Sequence, residues 1–142
     1  AAETGVREAV VIRGRETVTE EDYVSGRLWE DALCYSFYPI DLHTNSGDGL
    51  DMRPLPRGTV PSVPRGALLP LNLRAMIAAG RCVSSDRAAN SALRVQASCM
   101  AMGQAAGALA AVSARQGIDP GEAALDEVRD LLARCGAIVP AP

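Results

Sequence analysis

The twenty residues from Val95 to Ala114, VQASCMAMGQAAGALAAVSA, are almost all small. A helix of this composition fills little space, so its packing partners must approach its backbone. Gly103 and Gly107 sharpen the constraint, because each costs a helix about 1 kcal/mol relative to Ala. The sequence therefore predicts a close neighbour at both. Gln96, Ser98, Gln104 and Ser113 interrupt the apolar run and no aromatic belt flanks it. These features favour a buried helix in a globular fold over a membrane span with a G-x-x-x-G motif. The predicted helix runs from near Leu93 to near Arg115, with Gly117 as its stop.

The remaining core has narrow choices. Aromatics make up 4 % of the 142 residues, and all of them (Tyr23, Trp29, Tyr35, Phe37, Tyr38) lie in one short stretch. Ala, Leu, Val, Ile and Met must supply the rest, and at 48 % hydrophobic content they suffice for one modest domain. The net charge is −3 without a basic stripe, which argues against a nucleic-acid partner. The seven Arg from Arg53 to Arg94 are spaced singly, as cations around an anionic ligand would be. Cys34, Cys82, Cys99 and Cys135 form no C-x-x-C pair, so neither a metal site nor a disulfide scaffold is expected. They read as reduced, mostly buried thiols of a cytoplasmic protein. AAETGVRE at the start has no basic region and no apolar run, unlike a signal peptide. The expectation is a piece of a longer chain.

Local patterns predict short elements. Ala9–Gly14 (AVVIRG) reads as a strand. Thr19 with Asp22 is a variant capping box opening a helix through Val24, Leu28 and Ala32, weakened by Gly26. Tyr38–His43 (YPIDLH) is extended, since Pro39 disfavours helix before it. Asp41 and Asp48 read as turn or capping residues. Pro54, Pro56, Pro61, Pro64 and Pro70 then exclude a central strand, leaving a long ordered loop with short edge strands. Ala75–Gly80 (AMIAAG) reads as a buried strand followed by a polar turn. Asp119, Pro120 and Glu122 suggest a capped helix start, after which Leu125, Val128, Leu131, Leu132 and Cys135 share one face, with Gly136 past the end. The fold class is α+β: short strands and a Pro/Gly-rich loop packed with a small-residue helix and a C-terminal amphipathic helix.

Taken in order, GVRE, VTEED, YPIDLH, AAGRCVSSDRAANSALRV and CMAMGQAAGALAA resemble the C-terminal part of FAD-dependent oxidoreductases related to the fumarate reductase and succinate dehydrogenase flavoproteins. The resemblance spans nearly the whole chain. It implies an incomplete FAD-binding fold, because the N-terminal G-x-G-x-x-G unit that binds the ADP part is not in this sequence. Residues 1–142 would then be one module, with 1–74 a substrate- or cap-like portion and 75–142 a strand–helix–helix unit completing the FAD domain. The partners implied are the missing N-terminal half and a small-molecule substrate, without nucleic acid or membrane. The isolated chain would be inactive, and its exposed docking face would favour a homo-oligomer.

The resemblance also assigns positions. Gly80 and Arg81 would meet the ribityl chain, followed by Ser84, Ser85 and Asp86. Ser91, Arg94 and Val95 would lie where a helix start faces the flavin ring. Arg87 would be a substrate-carboxylate binder. His43, the only histidine, has two readings: an acid/base or substrate contact, or a hydrogen-bonded packing residue. A rival function is a non-enzymatic interaction module built on the small-residue helix.

Overall fold

The structure, a computed structural model, describes residues 10–43 and 50–141. Helix α1 (Glu20–Ser25) starts with the expected capping box: Thr19 Oγ1 accepts from the Asp22 amide, and the Asp22 carboxylate accepts from the Thr19 amide. It is shorter than its apolar spacing suggests. Gly26 takes a left-handed conformation at φ 73° and ends it, leaving Leu28 exposed and Ala32 in a strand.

Two small antiparallel pairs follow. Strand β1 (Ala32–Tyr35) pairs with β4 (Ser62–Pro64), with an irregularity between Ala32 and Cys34. Strand β2 (Ile40–His43) pairs with β3 (Leu50–Arg53), aligning Asp41 with Met52. The prolines thus leave room for short edge strands only. Asp48, Gly5–Glu8 and Ala9 lie outside the described residues.

Helix α2 (Arg65–Leu68) was not foreshadowed; it is a single turn directly after Pro64. A 3₁₀ turn (Gly80–Cys82) leads to α3 (Arg87–Leu93), α4 (Gln96–Gln116) and α5 (Leu125–Arg134). One apolar core joins both halves of the chain, with Tyr23, Leu33, Leu68, Leu93, Met102, Leu109 and Leu132 among its fully buried members.

Several expectations need correction. Residues 10–14 and 75–80 form no strand, and Gly80 already opens the 3₁₀ turn. Their amides and carbonyls pair singly: Ile12 donates to Cys82, Leu71 to Arg13, Ala78 to Leu68, and only Gly14 bridges Pro70. A ladder needs a continuous partner, and α2 curls the neighbouring chain away. The predicted helix is α4, which begins at Gln96 rather than near Leu93, and the stretch that reads as a polar turn before it holds a further helix, α3. Asp86 caps α3 through Oδ1 and the Ala89 amide, and Val95 turns extended at ψ 155° before α4 begins. Gly117 and Gly136 do stop α4 and α5 at positive φ.

Helix α4 has the length and mean hydropathy, 1.3, that a membrane span would also have, yet it buries Met102, Ala105, Leu109 and Val112 in this core. Gly103 and Gly107 are not where it is approached. A Cβ added at either meets nothing within 4 Å. The small residues line an outward face with Met100 rather than a tight internal contact. The four thiols are free as expected, but only Cys34 is buried, and Cys135 is exposed rather than on the packed face of α5. Burial pushes the Cys34 thiol up to about 12.

Asp119 does not cap a helix, since α5 starts at Leu125. Its carboxylate instead accepts from the amides of Ala75 (2.9 Å) and Gly121 (3.0 Å) and from Arg15 (3.0 Å). Ala75 has φ 53°, a left-handed conformation that a non-glycine residue holds only when its surroundings fix it. The Ala75 amide, then the Gly121 amide and Arg15, hold the Asp119 carboxyl down to about 2. A lowered folded value means that this contribution is whole above the ordinary value of 3.8 and is lost as pH falls through about 2. Acid titration of the wild type and Asp119→Asn should therefore show the wild type's advantage shrinking between these limits. A constant difference across that window would refute the carboxylate's role.

Candidate functional site

A cavity of about 310 Å³ opens between β2 and the junction of α3 with α4, lined by Tyr38, Asp41, Arg81, Ser91, Arg94, Val95 and Gln96. Three local features build it. Helix α3 ends when the Arg94 amide bonds to Asn90 O. Val95, extended and without a side-chain acceptor, is the N-cap of α4. The first amides of a helix lack intrahelical partners and carry partial positive charge. With Val95 and Gln96 on the wall, this uncapped helix start opens on the cavity.

Helix α3 clamps the facing strand. The Asp41 amide donates to Ser91 Oγ at 3.0 Å, and Ser91 donates to Ala88 O at 2.7 Å. Arg94 Nη2 donates to Asp41 O at 3.4 Å. Arg81 and Arg94 thus place two cations on the wall beside the helix start.

A chain of buried hydroxyls fixes the third side. Tyr23 donates to Tyr38 O at 2.9 Å and accepts from the Tyr38 amide at 3.3 Å. It also meets Ser36 Oγ at 3.0 Å, which meets Ser98 Oγ at 2.7 Å. Each hydroxyl has one proton. With Tyr23's proton on Tyr38 O, Ser36 donates to Tyr23 and Ser98 to Ser36. The chain links the first turn of α4 to the backbone of a cavity residue. Burial raises the Tyr23 phenol above its ordinary value, against the opposing effect of its partners Ser36 and Tyr38.

A sequence model of the family described as FAD dependent oxidoreductase matches residues 1–132. The chain belongs to that family. No curated protein and no solved structure matches it.

As a FAD dependent oxidoreductase, the full protein is a flavoprotein that binds FAD. The cavity fits one end of that cofactor: its volume is at the small end of the roughly 300–1,000 Å³ of ligand pockets, and its donors suit oxygens that gather negative charge. The sequence has no G-x-G-x-x-G to cradle a pyrophosphate.

Of the positions singled out from sequence, Arg81, Ser91, Arg94 and Val95 meet on this wall. Gly80 stands beside it, at φ 80° in the 3₁₀ turn. The next three have their side chains engaged in the fold. Ser84 accepts from the Gly14 amide (3.1 Å) and pairs with Thr17 (2.9 Å). Ser85 donates to Val83 O and accepts from Asn90 Nδ2. Asp86 caps α3 and accepts from the Glu20 amide at 2.6 Å. Arg87 is exposed at the start of α3, outside the cavity lining. His43 closes β2 opposite Leu50. Tyr38, Asp41 and Gln96 line the cavity without having been singled out for it. Asp41 stood in the quoted PIDLH, but a lone acid there reads as a turn residue until α3 is seen beneath it.

Proposed function

We propose that this chain forms the flavin-ring side of the FAD site in an oxidoreductase of the fumarate reductase and succinate dehydrogenase type. The observation that carries the reading is the meeting of the uncapped α4 start with Arg81 and Arg94 in one cavity. When bound, FAD supplies two-electron chemistry between a small organic substrate and its ring. The chain's residues hold and polarise that end. The α4 start and the two cations favour negative charge in the cavity. Ser91 and Arg94 fix β2, and Tyr23, Ser36 and Ser98 keep the α4 start in register with Tyr38. Gly80 and Arg81 approach the ribityl chain.

A G-x-G-x-x-G unit, supplied by residues outside this sequence, would bind the ADP end. Its docking surface is the outward face of α4, where Met100 is 68 % exposed beside Gly103 and Gly107, together with exposed Leu71, Leu73 and Met76. The same apolar face supports the rival reading of an interaction module. Left uncovered, it should pair with a second copy. Light scattering on this chain alone should therefore report a dimer or larger species that Gly103→Leu disrupts, whereas a monomer at high concentration would speak against the surface.

The cofactor reading is tested in the full-length protein. Arg94→Ala and Arg81→Ala should each weaken FAD retention about 10-fold, the scale of one lost charged hydrogen bond. Unchanged retention in both, with Gly103→Leu abolishing assembly, would favour the rival.

A further inference from the structure

Two consecutive residues of α3 hold two walls of the cavity. Ser91 accepts from the Asp41 amide and so holds β2. Asn90 holds the 3₁₀ turn. Its Nδ2 donates to Arg81 O at 3.2 Å and to Ser85 Oγ at 3.0 Å. A carbonyl only accepts, so the Asn90 atom at Arg81 O is the nitrogen, and both of its protons are engaged. Ser85 gives its own proton to Val83 O at 3.2 Å. Asn90 therefore reaches two carbonyls of this stretch, one directly and one through Ser85.

Neither the helix nor the core calls for an Asn here. Asn90 is 7 % exposed, in a helix whose residues from Ala88 to Leu93 are all buried. Asn is among the weaker helix formers, and a buried side-chain amide must find partners. Leu has nearly the same shape and would suit both helix and core. The turn's other carbonyls are held by backbone amides: Gly80 O by Val83, Cys82 O by Ile12 and Ser84 O by Val18. The carbonyl given to Asn90 belongs to Arg81, which stands on the cavity wall.

Resting on the flavin reading above, we infer that Asn90 is a positioning residue of the cofactor site: its side-chain amide ties the Gly80–Cys82 turn to α3 and so sets where Arg81 stands against the flavin. Asn90 lies outside the cavity lining and acts through Arg81. Together with Ser91 it makes α3 the element that fixes the gap between the turn and β2.

The test titrates apo full-length protein with FAD, followed by flavin fluorescence, with urea midpoints measured alongside. Asn90→Leu keeps the shape and removes both donors. It should bind FAD about 10-fold more weakly than wild type. Asn90→Asp keeps the shape but sets an acceptor against Arg81 O, and should bind at least as weakly as Asn90→Leu. Leu132→Val, in the core on α5, is the control for stability alone. It loses one buried methylene, so its urea midpoint should fall while its FAD affinity stays that of wild type. Without FAD, the Val83 amide that closes the turn onto Gly80 O should exchange faster in Asn90→Leu than in wild type. Firm FAD binding by wild type with unchanged affinity in Asn90→Leu, or in Asn90→Asp, overturns the Asn90 assignment and leaves the flavin reading standing. An equal loss of affinity in Leu132→Val also overturns it, since general destabilisation would then account for the effect. Failure of wild type to bind FAD at all overturns both.

Discussion

Tyr23→Ala should destabilise the fold by about 4 kcal/mol, as other large buried aromatic truncations do. Tyr23 is fully buried, and its ring is part of the core shared by both halves of the chain. Tyr23→Phe keeps the ring and removes only the hydroxyl. It should cost about 2 kcal/mol, because the Tyr38 amide and carbonyl lose their partner in a partly buried setting. Against a typical domain stability of about 5–15 kcal/mol, the first change leaves little margin. Urea midpoints measure both. The pair also has a pH signature. The folded phenol titrates above its ordinary value of 10.0, so the hydroxyl's contribution is whole below that value and is lost as pH rises further. Wild type should therefore converge on Tyr23→Phe in strong base. Equal midpoints for the two at neutral pH would remove the hydroxyl chain from the account.

Gly14→Ala should destabilise by about 3 kcal/mol, at the upper end of ordinary overpacking. A Cβ at Gly14 would lie 2.6 Å from Ser84 Cβ, 2.7 Å from Glu16 O and 2.9 Å from Gly66 O. Two of the three are backbone atoms, so no rotamer change relieves the crowding. Here the chain at Gly14 passes between α2 and the polar turn, and Ser84 is already tied to the Gly14 amide. The same substitution at Gly103 should act in the opposite direction. Nothing lies within 4 Å, and a helix gains about 1 kcal/mol when Ala replaces Gly at an open interior site. Thermal melts of the two variants should bracket the wild type. A neutral Gly14→Ala would mean that the crossing relaxes freely.

That contrast also shows what the sequence could reveal. Capping and stopping are local, so Thr19 with Asp22, Gly117 and Gly136 were legible from a few neighbouring residues. The extended YPIDLH was legible for the same reason. What escaped depends on distant partners. Asp119 looks like a cap beside Pro120 and Glu122, but its carboxylate is taken by Ala75 and Arg15, far away in sequence. Two glycines in an Ala-rich helix suggest close packing, yet burial of this helix follows Met102, Leu109 and Val112 on its other face. The helix entry at Arg94 and Val95 was expected, but α3 just before it, in what reads as a polar turn, was not. The candidate site lies where the end of α3 meets the free start of α4. Arg81, Ser91, Arg94 and Val95 were recognisable through the family pattern. Tyr38 and Asp41 enter only once β2 lies across α3.

The central claim is that the start of α4 faces the flavin. Amide hydrogen exchange of the full-length protein, with and without FAD, tests it most directly. The first-turn amides of Gln96, Ala97 and Ser98 lack intrahelical acceptors and should exchange readily without cofactor. Bound FAD should slow exchange in the peptide spanning these residues, and leave the last turn of α4 before Gly117 unchanged. Saturating FAD that protects other regions while the start of α4 exchanges as before would contradict the account.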